Sequence, residues 1–174
     1  MIHLLIDGYN LLYAIDPGRL RSLEEKRDAL LEKLHNYQIS KSVDISVVFD
    51  GSLEAALYRN RDRYGNIHII FTHENETADS WIDQECQQNP GKYLVVSNDN
   101  EVKRSAELHR CVSISSDEFS TKLNEAARFQ EDPDYFSEKD DSGPLYPRIT
   151  TRKKGAAKKI PKRDRKKMQS LKNL

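Results

Sequence analysis

The stretch Ile2-His3-Leu4-Leu5-Ile6-Asp7-Gly8 decides the fold. It is an apolar run interrupted only by His3, too short to be a helix by itself, and it ends on the turn signal Asp7-Gly8. It therefore reads as a buried β-strand that stops on a carboxylate. The pattern recurs along the chain. Ile45 to Phe49 stops at Asp50-Gly51, Ile67 to Phe71 follows Gly65-Asn66, Tyr93 to Val96 runs through Ser97 and Asn98 to Asp99, and Cys111 to Ile114 is a fifth run. Helical patterns lie between them: Leu23 to Tyr37, with Leu23, Leu30, Leu31, Leu34 and Tyr37 on one stripe, then Glu76 to Gln88, Glu101 to Leu108 and Asp117 to Phe129. Continuous apolar strands joined by helical crossovers predict an α/β fold, a three-layer sandwich around a central, mostly parallel five-stranded sheet.

Composition divides the chain. The 28 Lys and Arg balance the 28 Asp and Glu, but residues 148–174 hold twelve bases (Arg148, Arg152, Lys153, Lys154, Lys158, Lys159, Lys162, Arg163, Arg165, Lys166, Lys167 and Lys172) against Asp164 alone. That segment carries +11, which leaves −11 on residues 1–147. We read a domain over residues 1–130, a linker over 131–147 marked by Asp132-Pro133-Asp134, Glu138 to Asp141 and Gly143-Pro144, and a basic tail over 148–174. Dense bases with few acids point to a polyanion, because Lys and Arg gain affinity by releasing counterions from phosphates. A solvated tail that aids solubility, or one that docks on the acidic body, accounts for the same composition.

No apolar stretch nears the roughly 20 residues that span a bilayer, and the N-terminus runs into the first strand with no basic leader, so no membrane association and a cytoplasmic location are expected. Cys86 and Cys111 are too few for a disulfide framework and lack zinc-site spacing. Both are expected to be reduced, buried thiols. His3, His35, His68, His73 and His109 are scattered, so a Ser or Cys hydrolase paired with His fits poorly. An aspartyl-nucleophile phosphatase usually places a second acid two residues after the first, where this chain has Tyr9.

The chemistry lies at the strand ends. Asp7, Asp50 and Asp99 each follow a strand, and an open parallel sheet places its sites beyond the C-terminal strand ends, so these carboxylates converge although distant in sequence. Glu76, Asp79 and Asp83, spaced i, i+3, i+7, fall on one helical face. Like charges so arranged repel unless a bound cation or a basic side chain neutralises them, and with no Lys or Arg between Phe71 and Lys92 a bound cation is the simpler remedy. Oxygen donors without a Cys or His cluster favour Mg²⁺ or Mn²⁺ over Zn²⁺. Each feature also has a structural account: Asp-Gly as a turn, acids in a first helical turn complementing the dipole, Asn10 as a cap, and Asn98-Asp99-Asn100 as a cap for the next helix.

The segments Ile6-Asp7-Gly8-Tyr9-Asn10-Leu11-Leu12, Val47-Val48-Phe49-Asp50-Gly51, Glu76-Thr77-Ala78-Asp79-Ser80 and Val95-Val96-Ser97-Asn98-Asp99 resemble the successive motifs of YacP-like NYN domains, relatives of PIN-domain nucleases. The resemblance covers roughly residues 1–128. It implies a PIN-like fold and metal-dependent endoribonuclease activity on single-stranded RNA. It further implies Asp7, Asp79 and Asp99 as core metal-binding acids, Asn10 as a supporting polar group in the catalytic set, and Asp83 or Asp50 as outer members. Asn98 departs from the commoner Ser before the acid, and a polar cap survives there.

RNA contacts are expected from Arg59, Arg61 and Arg63, which alternate before the third strand beside Tyr58 and Tyr64, and from the tail residues Arg152, Lys153, Lys154, Lys158, Lys159, Lys162, Arg163, Arg165, Lys166 and Lys167. Protection of an exposed sheet edge by charge explains the arginine strip equally well. Tyr9 either stacks on a base near the metal or packs beneath its loop. The expected partner is RNA, with the ribosome as one candidate, and the competing reading is a non-catalytic RNA-binding or ribosome-associated module.

Overall fold

A computed structural model describes residues 2–18, 20–51, 63–73 and 75–131. The basic tail, the linker from residue 132 onward, and Tyr58, Arg59 and Arg61 lie outside the described residues. The elements run β1 (His3–Asp7), α1 (Gly8–Ile15), α2 (Leu23–Lys41), β2 (Asp44–Phe49), β3 (Arg63–Tyr64), β4 (Ile67–Phe71), α3 (Ala78–Gln88), β5 (Tyr93–Val96), α4 (Asn100–Leu108), β6 (Val112–Ile114) and α5 (Ser116–Glu131). The expected five-strand parallel sheet is present, and β3, a two-residue strand antiparallel to β4, extends it to six in the order β3-β4-β2-β1-β5-β6.

Strand alternation assigns the two faces. Leu4, Ile6, Ile45, Val47, Phe49, Leu94 and Val96 form one core with α1, α2 and α5. Leu5, Val48 and Val95 join Ala78, Ile82 and Cys86 of α3 and Val102 and Ala106 of α4 in the other. Each fully buried aliphatic side chain contributes about 1.5–3 kcal/mol, so burial on both faces outweighs the modest helix propensity of the crossovers. Cys86 and Cys111 are free and buried, as expected.

Three boundaries move for identifiable reasons. The turn expected at Asp7-Gly8 is the start of α1: Asp7 is its N-cap, and its Oδ1 accepts from the Asn10 amide at 3.1 Å. Gly8 is required there, since a Cβ would run into the Phe49 ring and lie 2.8 Å from the Val48 carbonyl oxygen. α3 begins at Ala78 rather than Glu76 because Thr77 and Ser80 form a capping box. Glu76 therefore stands before the helix, its Oε2 accepting from the His73 amide at 3.3 Å. α2 extends to Lys41 and opens on a second capping box between Ser22 and Glu25.

β1 is the pivot of the topology. From it the chain builds β2 and β4 on one side, then returns to build β5 and β6 on the other, which makes the β1/β5 gap the switch point.

Candidate active site

Four acids gather at the carboxyl edge of the sheet around that gap. Asp7 ends β1, Asp50 follows β2, Asp99 follows β5, and Asp79 lies in the first turn of α3. Three helices start here, and an acid meets each N-terminus. Asp7 caps α1. Asp50 Oδ1 accepts from the Ala78 amide of α3 at 2.6 Å, and Asp99 Oδ1 accepts from the Glu101 and Val102 amides of α4 at 2.6 and 3.4 Å. The structural account of Asp99 as a helix cap is thus correct, and it places the carboxylate in the cluster rather than away from it.

The acids feel one another's charge. Asp7 is 7% exposed, and its carboxyl is pushed up to about 6 by burial and by the charges of Asp79 and Asp50, against the Asn10 amide and the Ser97 hydroxyl, which lower it. Asp79 is raised by desolvation and by Asp99, Asp50 and Glu101. Among the described residues no Lys, Arg or His forms an ion pair with Asp7, Asp50, Asp79 or Asp99, and the Asp79 side chain has no hydrogen-bond partner. Neither is any group of three or more His, Cys, Asp or Glu arranged there as a closed metal cluster. The acids share a field without meeting at one point. An all-oxygen, negatively charged donor set of this kind fits a hard divalent cation.

A polar network holds the acids in place. Ser97, fully buried, donates its hydroxyl to Asp7 Oδ2 at 3.2 Å and accepts the Asp99 amide at 3.0 Å, so one side chain ties β1 to the β5–α4 loop. Asn10 Oδ1 accepts from the Asn98 amide at 2.8 Å and from the Ser116 hydroxyl at 2.9 Å. Asn98 Oδ1 in turn accepts from the Ser116 amide at 2.9 Å. Asn10 is thus a strut between α1, the β5–α4 loop and α5, and not a cap.

Other expected residues stand apart from the cluster. Asp83 hydrogen-bonds the Ser105 hydroxyl and pairs with His109 Nε2 at 3.3 Å on the α3–α4 seam, and it is not among the charges acting on Asp7 or Asp79. Arg63 is exposed on β3, three strands from β1 and therefore about 14 Å away across the sheet. Tyr9 packs edge-to-face on Phe49 at 5.1 Å, and its hydroxyl accepts from Arg27 Nη1 at 3.2 Å, which is the packing alternative. Ser97, Glu101 and Ser116 were not singled out from sequence. Ser97 and Glu101 flank Asp99 closely enough for the strand-end pattern to have included them, whereas nothing local to Ser116 marks it.

Comparison with known proteins gives a consistent picture. A sequence profile described as the YacP-like NYN domain matches residues 4–173. The chain is 38% identical over 87 residues to the uncharacterized protein YacP of Bacillus subtilis (strain 168), a match spanning 48% of this chain and 51% of that one, so it covers about half the length of this curated relative. Two solved structures are similar. The crystal structure of Rae1 (YacP) from Bacillus subtilis has a TM-score of 0.65 at 29% identity, covering 80% of this chain and 84% of that chain. The crystal structure of a mutant form of that same protein has a TM-score of 0.64 at 26% identity, covering 82% and 87%. Among the described residues no helix is long and apolar enough to cross a membrane.

Proposed function

Since the chain belongs to the YacP-like NYN domain family, whose fold is nuclease-like, we propose that it is a metal-dependent endoribonuclease that hydrolyses phosphodiester bonds of single-stranded RNA. The observation that carries this reading is the gathering of Asp7, Asp50, Asp79 and Asp99 at the switch point, where burial and then neighbouring carboxylates raise Asp7 and Asp79 and no basic side chain pairs with them among the described residues. Mg²⁺ or Mn²⁺ would be held by Asp7, Asp79 and Asp99, with Asp50 beside them, whereas Asp83 is engaged by Ser105 and His109 and lies outside the set. Such an ion, when bound, lowers the pKa of a coordinated water and stabilises charge on the scissile phosphate.

The chain's own residues do the positioning. Ser97 fixes the orientation of Asp7 relative to the Asp99 loop, and the Asn10–Asn98–Ser116 network fixes that loop relative to α1 and α5. We assign the basic segment 148–174 and the Arg59–Arg61–Arg63 strip to substrate capture, with cytoplasmic RNA, ribosome-bound or free, as the partner. The charge asymmetry of the two parts of the chain supports this.

The test is cleavage of end-labelled single-stranded RNA by the full chain with Mn²⁺ or Mg²⁺ and with EDTA, alongside Asp79→Asn. Metal-dependent cutting, reduced at least a hundredfold in the variant with RNA affinity retained, is expected. The density of tail bases also favours a second reading, a non-catalytic RNA-binding module. No cutting under any metal, with salt-sensitive binding lost on deleting 148–174, would establish that reading instead.

A further inference from the structure

Three helices begin at the carboxylate cluster, and they differ in charge. α1 and α3 carry no Lys or Arg, whereas α4 carries Lys103 and Arg104. Asn100, Lys103, Arg104 and Glu107 are spaced i, i+3, i+4, i+7 and so form one stripe of α4, while Val102 and Ala106 bury the opposite side. That stripe is one wall of an open groove of about 360 Å³, whose other lining residues are Ser113, Ser115 and Glu118.

The groove has the chemistry of a phosphate track. Its lining is hydroxyl, amide and charged groups, with no aliphatic or aromatic side chain, so it offers nothing to an apolar ligand. The two acids are turned onto the groove's own wall: Glu107 Oε1 accepts from the Ser113 hydroxyl at 3.3 Å, and Glu118 Oε2 accepts from the Ser115 amide at 3.0 Å. Lys103 and Arg104 form no ion pair among the described residues. They lie four and five residues beyond Asp99, hence about 6–8 Å along the helix axis from it. Asn100, the residue after Asp99, lines the same groove, so the groove opens beside the end of the cluster. An acidic site repels phosphates, and cations on its rim are what draw the backbone in.

We propose that this groove, between α4, β6 and the start of α5, seats the backbone of single-stranded RNA next to the scissile position, with Lys103 and Arg104 as the phosphate contacts. The assignment rests on the nuclease reading for its substrate but is tested separately from it. The full-length chain carrying Asp79→Asn, with and without Lys103→Gln and Arg104→Gln, is titrated with a fluorescent single-stranded RNA over a range of KCl concentrations. Two single-strand phosphate contacts contribute about 1.4 to the slope of log affinity against log salt, so the double variant is expected to bind about 25-fold more weakly at 0.1 M salt with a slope shallower by about 1.4.

Each single substitution is expected to give about fivefold, and Lys33→Gln with Lys41→Gln on α2 none. Because Lys103 and Arg104 have no ion pair among the described residues, the singles retain the parent's thermal midpoint and keep the test interpretable. Affinity and slope equal to the parent in both singles and the double overturn the proposal. A changed slope in a chain whose unmutated form does not cleave RNA leaves the groove standing and removes the nuclease. Metal-dependent cleavage with an unchanged slope does the reverse.

Discussion

Replacing Asp7 by Asn should stabilise the metal-free protein at neutral pH. The Asp7 carboxyl titrates near 6 in the fold against an ordinary value of 3.8, first because it is buried and then because Asp79 and Asp50 add their charge. At about 1.36 kcal/mol per pH unit, the gap corresponds to about 3 kcal/mol. The sign follows from proton counting. Between pH 3.8 and 6 the native state holds a proton that the unfolded chain has lost, so stability falls as pH rises through this window, and the penalty is fully present above 6. Asn is as good an N-cap as Asp, so α1 keeps its cap while the charge is removed. In EDTA at pH 7.5 the variant should be about 1–3 kcal/mol more stable by urea unfolding, the lower end allowing for a weaker bond to the Ser97 hydroxyl. At pH 4 the difference should vanish. Adding Mg²⁺ or Mn²⁺ should raise the stability of the unmutated chain and not that of the variant. A variant less stable at pH 7.5, or equally stabilised at both pH values, would refute the argument and make Asp7 a structural cap.

The supporting residues should behave differently. Ser116→Ala removes a fully buried hydroxyl that donates to Asn10, so a loss of about 1–3 kcal/mol in urea unfolding is expected, together with slower cleavage, as α5 loses its tie to Asn10 of α1, which also holds the β5–α4 loop through the Asn98 amide. Gly51→Ala should cost about 1–3 kcal/mol and depress cleavage, because a Cβ there collides with the Thr72 carbonyl and shifts the neighbouring Asp50 off the Ala78 amide; thermal melting and turnover measured together check both. Truncation after residue 147 should weaken RNA binding and flatten its salt dependence while leaving metal-dependent cleavage of a short substrate, as filter binding and gel assays on the truncated chain would report.

The sheet was legible because its strands are buried on both faces and therefore apolar throughout, and because each one ends abruptly on Asp or a turn residue. Helix α1 was not legible: Asp7-Gly8 is a turn signal by itself, and only the Phe49 ring and Val48 carbonyl explain why a glycine opens a helix there. Strand β3, with two residues, carries too little pattern to register. In the candidate site, Asp7, Asp79, Asp99 and Asp50 were visible from strand ends and motif spacing. Asp83 was grouped with them by helical periodicity, which places it on the correct helix but cannot tell that a second helix supplies Ser105 and His109 to engage it. Ser116 was invisible because its role depends on α5 returning to the same edge, a contact between residues 106 positions apart.

The capping roles do not compete with the proposed metal-binding role, because they account for how the acids are held together in the folded chain. A helix N-terminus presents roughly half a positive charge together with unpaired amides, and at this edge three of them are aimed at Asp7, Asp50 and Asp99. That is enough to let the acids approach one another in the folded chain. It does not offset burial and mutual repulsion altogether, since Asp7 and Asp79 both remain raised, first by desolvation and then by neighbouring acids. The least compensated acid is Asp79, whose side chain has no hydrogen bond or ion pair among the described residues and which follows the amide that Asp50 engages. On the proposed reading, an arriving cation would gain most by reaching Asp79 and would relieve Asp7 through its field. Asp79→Asn, which leaves the α1 cap and the Ser97 bond untouched, is therefore expected to disturb the fold less than Asp7→Asn while removing the proposed metal contact.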